Sequence, residues 1–372
     1  MKMVYLIAGT FNSGGMERVL AQKANWLSAH GHEVSIVTTD QRGRTSYFAL
    51  DSKIRSYDLG INYDETNGSL LRKLAAFPIK QRRHRQRLTE LLKQLHADVV
   101  VCMFNNDAPF VYKIQDGSRK ILEIHFSKNK KLQYHRRGLW ALADRWRTWQ
   151  EERIVRKYER FVVLTKEDAA LWGNLPNITV IPNSRTFKPT CQADLTQKRV
   201  LAIGRYDYQK GFDRLLNIWH LMGERRKGWT LDIYGDGPLR PMLQQQVLEL
   251  GLQDSVRLQK PSSNIQDAYL SSSIFVLSSR YEGLPMVLLE AQAYGMPIVA
   301  FACQCGPRDV ITDGRDGYLI AENNDAMFAQ HLAALMSNEP LRQAMGQAAV
   351  KASEDFAEER IMQQWEELFK GE

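Results

Sequence analysis

The chain has 372 residues, of which 44% are hydrophobic, 25% charged and 10% aromatic, the make-up of a folded chain with room for two domains at roughly 150 residues each. Those proportions exclude a disordered chain, a collagen-like repeat and a small disulfide scaffold, and the four scattered cysteines (Cys102, Cys191, Cys303, Cys305) read as reduced thiols. The net charge of +8 is uneven: 31 Lys+Arg face 18 Asp+Glu up to residue 185, and 19 face 24 beyond it.

In chain order, short apolar runs alternate with helical patterns, the mark of an α/β chain with parallel sheets. Strands are predicted at Val4–Ala8, Val34–Thr38, Val99–Met103, Lys120–Ile124, Phe161–Leu164 and Thr179–Ile181. Helices are predicted around Met16–Ala29, Leu88–Leu95, Leu139–Tyr158 and Lys166–Trp172. A second series of strands starts at Val200–Ile203 and runs through Thr230–Tyr234, Val256–Leu258, Ile274–Leu277, Ile298–Ala300 and Tyr318–Ile320. The stretch Pro182–Ala193, with two prolines and no periodicity, marks the boundary between two doubly wound domains, 1–185 and 186–355. No apolar run nears the ~20 residues of a membrane span, and no signal-peptide pattern follows Val4–Ala8, so a cytoplasmic protein is expected.

Open α/β sheets bind ligands beyond the carboxyl ends of their strands, so the loops after strands carry the candidates. Gly14 and Gly15 sit at a strand-to-helix turn, where a close backbone approach and helix N–H groups suit an anion; a plain tight turn is the alternative. Gly204-Arg205 and Lys210-Gly211 place two cations on one loop, a grip for both phosphates of a diphosphate. Tyr234-Gly235-Asp236-Gly237-Pro238 is a Gly-rich turn able to lie against a base or sugar, with Pro238 expected in a helix's first turn. In Glu282-Gly283-Leu284-Pro285-Met286 and Glu290 two carboxylates flank a helix start, where sugar hydroxyls and phosphate oxygens both find partners.

That order of motifs, ending in two glutamates eight residues apart, resembles glycosyltransferase family 4, over nearly the whole chain and most specifically over 200–320. Glu17-Arg18-Val19, Ala302-Cys303 and Gly306-Pro307-Arg308 resemble its bacterial members that build capsule, exopolysaccharide or O-antigen. The resemblance implies a GT-B fold, two Rossmann-like domains across a cleft, with the last helix (356–372) returning to the first domain and its acidic face meeting positive charge there. It implies a retaining transfer of a hexose or N-acetylhexosamine from a nucleotide sugar, UDP rather than GDP by family habit. Arg205 and Lys210 would neutralise the leaving diphosphate, Glu290 would bind ribose, and Glu282 the donor sugar. Gly14 and Gly15 would admit phosphate and acceptor, the backbone of Leu284, Pro285 and Met286 would border the β-phosphate, and His125 would lie near the reacting sugar. A satisfied core or loop histidine is the alternative for His125.

The sequence holds no Asp-x-Asp, so no metal and no cofactor is expected, the two cations serving instead. Basic clusters containing Arg82, Arg83, Lys130 and Lys131 precede Leu-rich and Trp-rich stretches, the second including Trp140, Trp146 and Trp149. These suit an anionic membrane surface on its inner face and a polyprenyl-diphosphate-linked acceptor; a core stripe of Leu139, Leu142, Trp146 and Trp149 is the other reading. Nucleic acid is not expected, for want of a recognition motif, and a monomer is. A sugar-nucleotide epimerase of the same fold and a non-enzymatic basic membrane adaptor are the rival functions.

Overall fold

Every apolar run read as a strand forms one. The computed structural model describes all residues except 67, 69, 131–138, 263 and 372, and all of their side chains except those of 66, 70, 71 and 139–142. The chain forms two compact units, Met1–Ile181 with Met362–Glu372, and Pro182–Ile361.

The first unit holds seven strands: β1 (Lys2–Ile7), β2 (Glu33–Thr38), β3 (Arg55–Asp58), β4 (Val99–Cys102), β5 (Arg119–Glu123), β6 (Arg160–Val163) and β7 (Ile178–Val180). They pair in the order β3-β2-β1-β4-β5-β6-β7, all parallel. Parallel neighbours need crossovers, and here these include α1 (Gly15–Ala29), α2 (Leu70–Leu95), α3 (Leu139–Val155) and α4 (Lys166–Trp172). The four residues of β4 are wholly buried, as expected of a central strand covered on both faces. Strand order reverses between β1 and β4, the switch point at which such sheets open to ligands.

The second unit repeats the plan with β8 (Arg199–Ile203), β9 (Thr230–Tyr234), β10 (Val256–Gln259), β11 (Ile274–Leu277), β12 (Ile298–Phe301) and β13 (Gly317–Ile320). Their order is β10-β9-β8-β11-β12-β13, again parallel, with the switch between β8 and β11. Its helices are α5 (Phe212–Leu221), α6 (Arg240–Glu249), α7 (Gln266–Leu270), α8 (Met286–Ala293), α9 (Pro307–Val310), α10 (Asp325–Ser337) and α11 (Glu339–Ser353). The chain then enters α12 (Glu358–Lys370), which carries it back into the first unit.

Three local readings need correction. β3 is a polar edge strand, Arg-Ser-Tyr-Asp, with no apolar alternation to announce it. α2 starts at Leu70 rather than near Leu88 and runs through Pro78, a residue that usually ends a helix. Pro238 lies ahead of α6, whose first-turn proline is Pro241.

All five apolar positions of α12 (Ile361, Met362, Trp365, Leu368, Phe369) are buried. Within the first unit its acidic face contributes Glu366, 3.1 Å from His32. The stronger positive contact is made elsewhere: Arg119 donates to the carbonyl oxygens of Leu368 and Phe369 at 3.1 and 2.7 Å, satisfying the last turn.

Two buried groups under the loop after β4 give the first unit a testable pH response. Asp107 accepts a hydrogen bond from the Cys102 thiol at 3.0 Å, and burial pushes its carboxyl up to about 6. His84 lies 3.2 Å from the Tyr63 hydroxyl, and burial pulls its imidazole down to about 4. The folded chain holds the Asp107 proton longer than the unfolded chain does, so this group lowers stability as pH rises from about 4 to about 6. His84 accepts its proton later when folded, so it raises stability from about pH 4 to about 6.5. Each effect is on the order of 3 kcal/mol and the two oppose one another. Asp107→Asn should therefore uncover the His84 rise, about 3 kcal/mol between pH 4 and 6.5. Urea unfolding across that range checks it, the wild-type chain lacking a rise of that size.

Candidate functional site

The loops at the carboxyl ends of β8, β9, β11 and β12 are drawn together by glycines. A Cβ on Gly235 would run into the carbonyl oxygen of Gly204, and one on Gly237 into the backbone of Tyr206. Gly211, at φ +63°, precedes α5 with its Cα against the Ser278 carbonyl, a conformation and a closeness that side chains disfavour. A Cβ on Gly306 would strike the Pro285 ring, so the loop after β12 seats against the turn Gly283–Pro285. Gly235 and Gly237 thus serve loop-to-loop packing.

On this platform the stem of Lys210 crosses Gly204, where a Cβ would sit 3.0 Å from its Cγ. Lys210 Nζ donates to Glu282 Oε1 at 2.7 Å. Glu282 is buried and also accepts from Ser279 Oγ at 2.5 Å and from Gln209 Nε2 at 3.3 Å. Its own N–H donates to the Gln304 carbonyl at 3.2 Å. Arg205, by contrast, is 71% exposed and pairs with its neighbour Asp207, Nε to Oδ2 at 2.6 Å. Both predicted cations therefore carry a carboxylate partner already, one firmly held and the other at the surface.

Glu290 belongs to a second cluster. It is buried on α8 and accepts from Tyr269 OH at 2.6 Å and from the Thr186 hydroxyl. The Tyr269 and Tyr294 rings stack 5.1 Å apart beside it, and burial followed by the Glu290 charge pushes the Tyr294 phenol up to about 12. A carboxylate that already accepts two hydroxyl hydrogens has the chemistry of a diol acceptor. α8 starts at Met286 with Pro285 as its N-cap and no side-chain cap, leaving first-turn N–H groups for an anion. Leu284 and Pro285 are buried, while Met286 is partly exposed.

Several residues that shape the site escaped the sequence reading. Arg214 of α5 is buried and donates to the carbonyls of Ser278 and Ser279, both at 2.7 Å, and to Glu322 at 3.0 Å. It clamps the end of β11 from which the Glu282 loop departs. Arg280 grips both oxygens of Asp213, at 2.8 and 2.6 Å, and donates to the Tyr208 carbonyl. Gln209, Ser279, Thr186 and Tyr269 bond to carboxylates more than twenty residues away or across a turn, and nothing local marks them. For Arg214 a signal exists: it shares its helix face with buried Ile218, an odd place for a solvated charge.

In the first unit, Gly14 is the N-cap of α1, Gly15 has open space where a Cβ would point, and the loop around them is exposed. His125 follows β5, its Nε2 3.0 Å from Glu123 Oε1. Arg82 and Arg83 are exposed on α2. Lys130 places its ammonium 4.9 Å from the Phe126 ring. Lys131 and the side chain of Trp140 lie outside the described residues. The core-stripe reading of Trp146 and Trp149 is overturned: they are 56% and 49% exposed, with Arg153 4.6 Å over the Trp149 ring, and the inward positions are Asp144 and Thr148. Among the described residues no helix is long and apolar enough to cross a membrane, and no three His, Cys, Asp or Glu side chains gather as a metal site.

Two parallel, doubly wound units, the second with cations and buried carboxylates around the carboxyl ends of its strands, are the architecture of the GT-B fold. Residues 13–184 match the family described as Glycosyltransferase Family 4, and residues 184–352 match Glycosyl transferases group 1. The chain belongs to glycosyltransferase family 4 and is a glycosyltransferase. It is 30% identical to an uncharacterized glycosyltransferase of Haemophilus influenzae over 98% of both chains. It is 29% identical to the amylovoran biosynthesis glycosyltransferase AmsD of Erwinia amylovora over 99% of both. It is 27% identical, over 99% of this chain and 98% of the other, to a Campylobacter jejuni alpha-1,4-N-acetyl-D-galactosaminyltransferase whose name gives a diNAcBac-PP-undecaprenol-linked GalNAc disaccharide. Among solved structures, a variant of S. aureus TarM in complex with fondaparinux, alpha-GlcNAc-glycerol and UDP superposes with a TM-score of 0.77 at 17% identity, covering 99% of both chains.

Removing the Arg214 clamp tests the platform. Arg214→Met orphans two buried carbonyls, at about 1–3 kcal/mol each, so about 3 kcal/mol of stability should be lost in chemical denaturation, with turnover falling as the Glu282 loop loosens.

Proposed function

We propose that this chain transfers a hexose or N-acetylhexosamine from a nucleotide sugar, a UDP-sugar in preference to a GDP-sugar, to a lipid-linked surface glycan, with retention and without a metal. The observation that carries the reading is Lys210, held 2.7 Å from Glu282 at the mouth of two adjacent strands. The leaving diphosphate gains negative charge as the glycosidic bond breaks, and an ammonium fixed in advance there stabilises it without reorganisation. Glu282 takes one of the three ammonium donors, and the others suit phosphate oxygens. Arg205, exposed and paired with Asp207, suits the outer phosphate. Glu290, already a hydroxyl acceptor, suits the ribose diol, and Glu282 a hydroxyl of the transferred sugar.

Retention by a double displacement needs a free carboxylate as nucleophile. Both oxygens of Glu282 and both of Glu290 are engaged by hydrogen-bond donors, which favours a front-face route. In that route the acceptor hydroxyl attacks C1 from the side the phosphate leaves, and the departing phosphate oxygen takes the acceptor's proton. His125 lies beside the reacting sugar in this reading, and Gly14 and Gly15 admit the acceptor. The names of the Erwinia and Campylobacter relatives support a surface or lipid-linked glycan as acceptor, and the UDP bound to TarM supports the nucleotide.

A release assay for nucleoside diphosphate across UDP- and GDP-sugars, with and without EDTA, tests the donor and the metal. Full activity in EDTA is expected, and Lys210→Met should lower kcat by about 10²–10³-fold, the cost of removing one preorganised donor from a developing anion. Loss of turnover to the chelator, or an unimpaired Lys210→Met, would overturn the mechanism. Donor turnover that ignores acceptor would favour an epimerase.

The basic, Trp-bearing face of the first unit supports a peripheral position on the inner leaflet. Trp146 and Trp149 are exposed beside Arg145, Arg147 and Arg153, and Arg82, Arg83 and Arg85 line the outer face of α2, the composition of an interfacial surface. Reversing Arg82, Arg83, Lys130 and Lys131 to glutamate should abolish co-sedimentation with anionic vesicles at low salt. Unchanged co-sedimentation would remove the membrane from the proposal.

A further inference from the structure

The first unit buries a pair of opposite charges that the mechanism above does not use. Lys23, on the inner face of α1, places Nζ 2.5 Å from both carboxylate oxygens of Glu123, the last residue of β5. Both side chains are buried. The Trp365 ring of α12 lies 3.9 Å from the ammonium on one side, and the Tyr5 ring of β1 lies 5.6 Å away on another. Burial alone would push the Glu123 carboxyl up; Lys23 and then His125 outweigh it and bring the group down to about 2. Lys23 thus favours the anionic form of Glu123 and fixes its orientation by a two-point contact.

A pair of this kind is a poor device for stability alone, since well-packed apolar side chains of similar size hold such a core as well. Its placement suggests another use. Two residues beyond Glu123, at the carboxyl edge of the sheet, the buried Nε2 of His125 lies 3.0 Å from Glu123 Oε1, close enough to pair with the carboxylate but not aligned as a hydrogen bond to it, and it has no hydrogen-bond partner elsewhere.

We propose that Glu123, pinned by Lys23, is the positioning residue for His125: it holds the ring proton on Nε2 and leaves Nδ1 as the acceptor toward the reacting sugar. The inference rests on the reading that His125 adjoins that sugar. The groups facing this cluster are Lys23 from α1, Tyr5 from β1 and Trp365 from α12, so the Glu123 carboxylate is the anion that addresses the ring.

Long-range proton–nitrogen NMR of the ¹⁵N-labelled full chain at pH 8 reads the tautomer directly. The wild-type ring is expected to show a protonated Nε2 and a bare Nδ1. In the double variant Lys23→Met/Glu123→Leu, which buries neither charge alone, the two nitrogens should give averaged signals of a tautomer mixture. Its kcat should fall roughly tenfold with donor KM little changed, the scale on which misaligning a histidine through its outer partner acts. The same single tautomer in wild type and double variant would overturn the proposal. His125→Ala tests the underlying reading separately: unimpaired turnover there removes the histidine from the reaction, whereas the tautomer measurement still reports whether Glu123 governs the ring.

Discussion

One ion pair, Lys210 with Glu282, ties together loops of the second unit, and in the proposed reading it fixes the ammonium that meets a phosphate. Lys210 and Glu282 stand 72 residues apart in sequence and 2.7 Å apart in space. Bringing them together requires β8 and β11 to be neighbours, which the strand order reversal provides. It requires Gly204 beneath the lysine stem and Gly211 against the Ser278 carbonyl, where side chains would keep the loops apart. It also requires Arg214 to occupy the carbonyls at the end of β11. Each of these is a local decision with one shared outcome: a charge already in position before a ligand arrives.

The two units manage buried charge by different means. In the second, Glu282 collects donors from three residues, so its desolvation is offset by hydrogen bonds as well as by the lysine. In the first, Glu123 relies on a single lysine gripping both oxygens, with aromatic rings walling off water. The former arrangement leaves an edge that a polar ligand can approach, and the latter is sealed. In the proposed reading, that contrast separates the unit that handles the donor from an internal support beneath a loop of the other.

Much of the architecture was legible because parallel strands buried on both faces are written as unbroken apolar runs, and the runs at Val99–Cys102 and Ile274–Leu277 are of that kind. β3 was not, since an edge strand can be as polar as Arg-Ser-Tyr-Asp. The candidate loops were legible from glycine and charge spacing, and Lys210 with Glu282 do meet. The supporting donors were not: Thr186 and Tyr269 converge on Glu290 from 104 and 21 residues away, and no short-range pattern encodes such a meeting. The glycines of the Tyr234–Pro238 turn stand out in the sequence, but their close approach to the backbone of Gly204 and Tyr206 is not written there. The tryptophans of α3 carried helical spacing, but spacing does not say which side of the helix meets the sheet, and burial gives that side to Asp144 and Thr148.

The close approaches of Gly235 to Gly204, Gly237 to Tyr206, Gly211 to Ser278 and Gly306 to Pro285 link the loops after β8, β9, β11 and β12 in series. Lengthening one of them has to move its neighbour or give up the contact, so this rim should accept insertions less readily than surface loops ordinarily do. In the proposed reading, a different sugar preference is then more readily reached by exchanging side chains carried on these loops than by redrawing their outline.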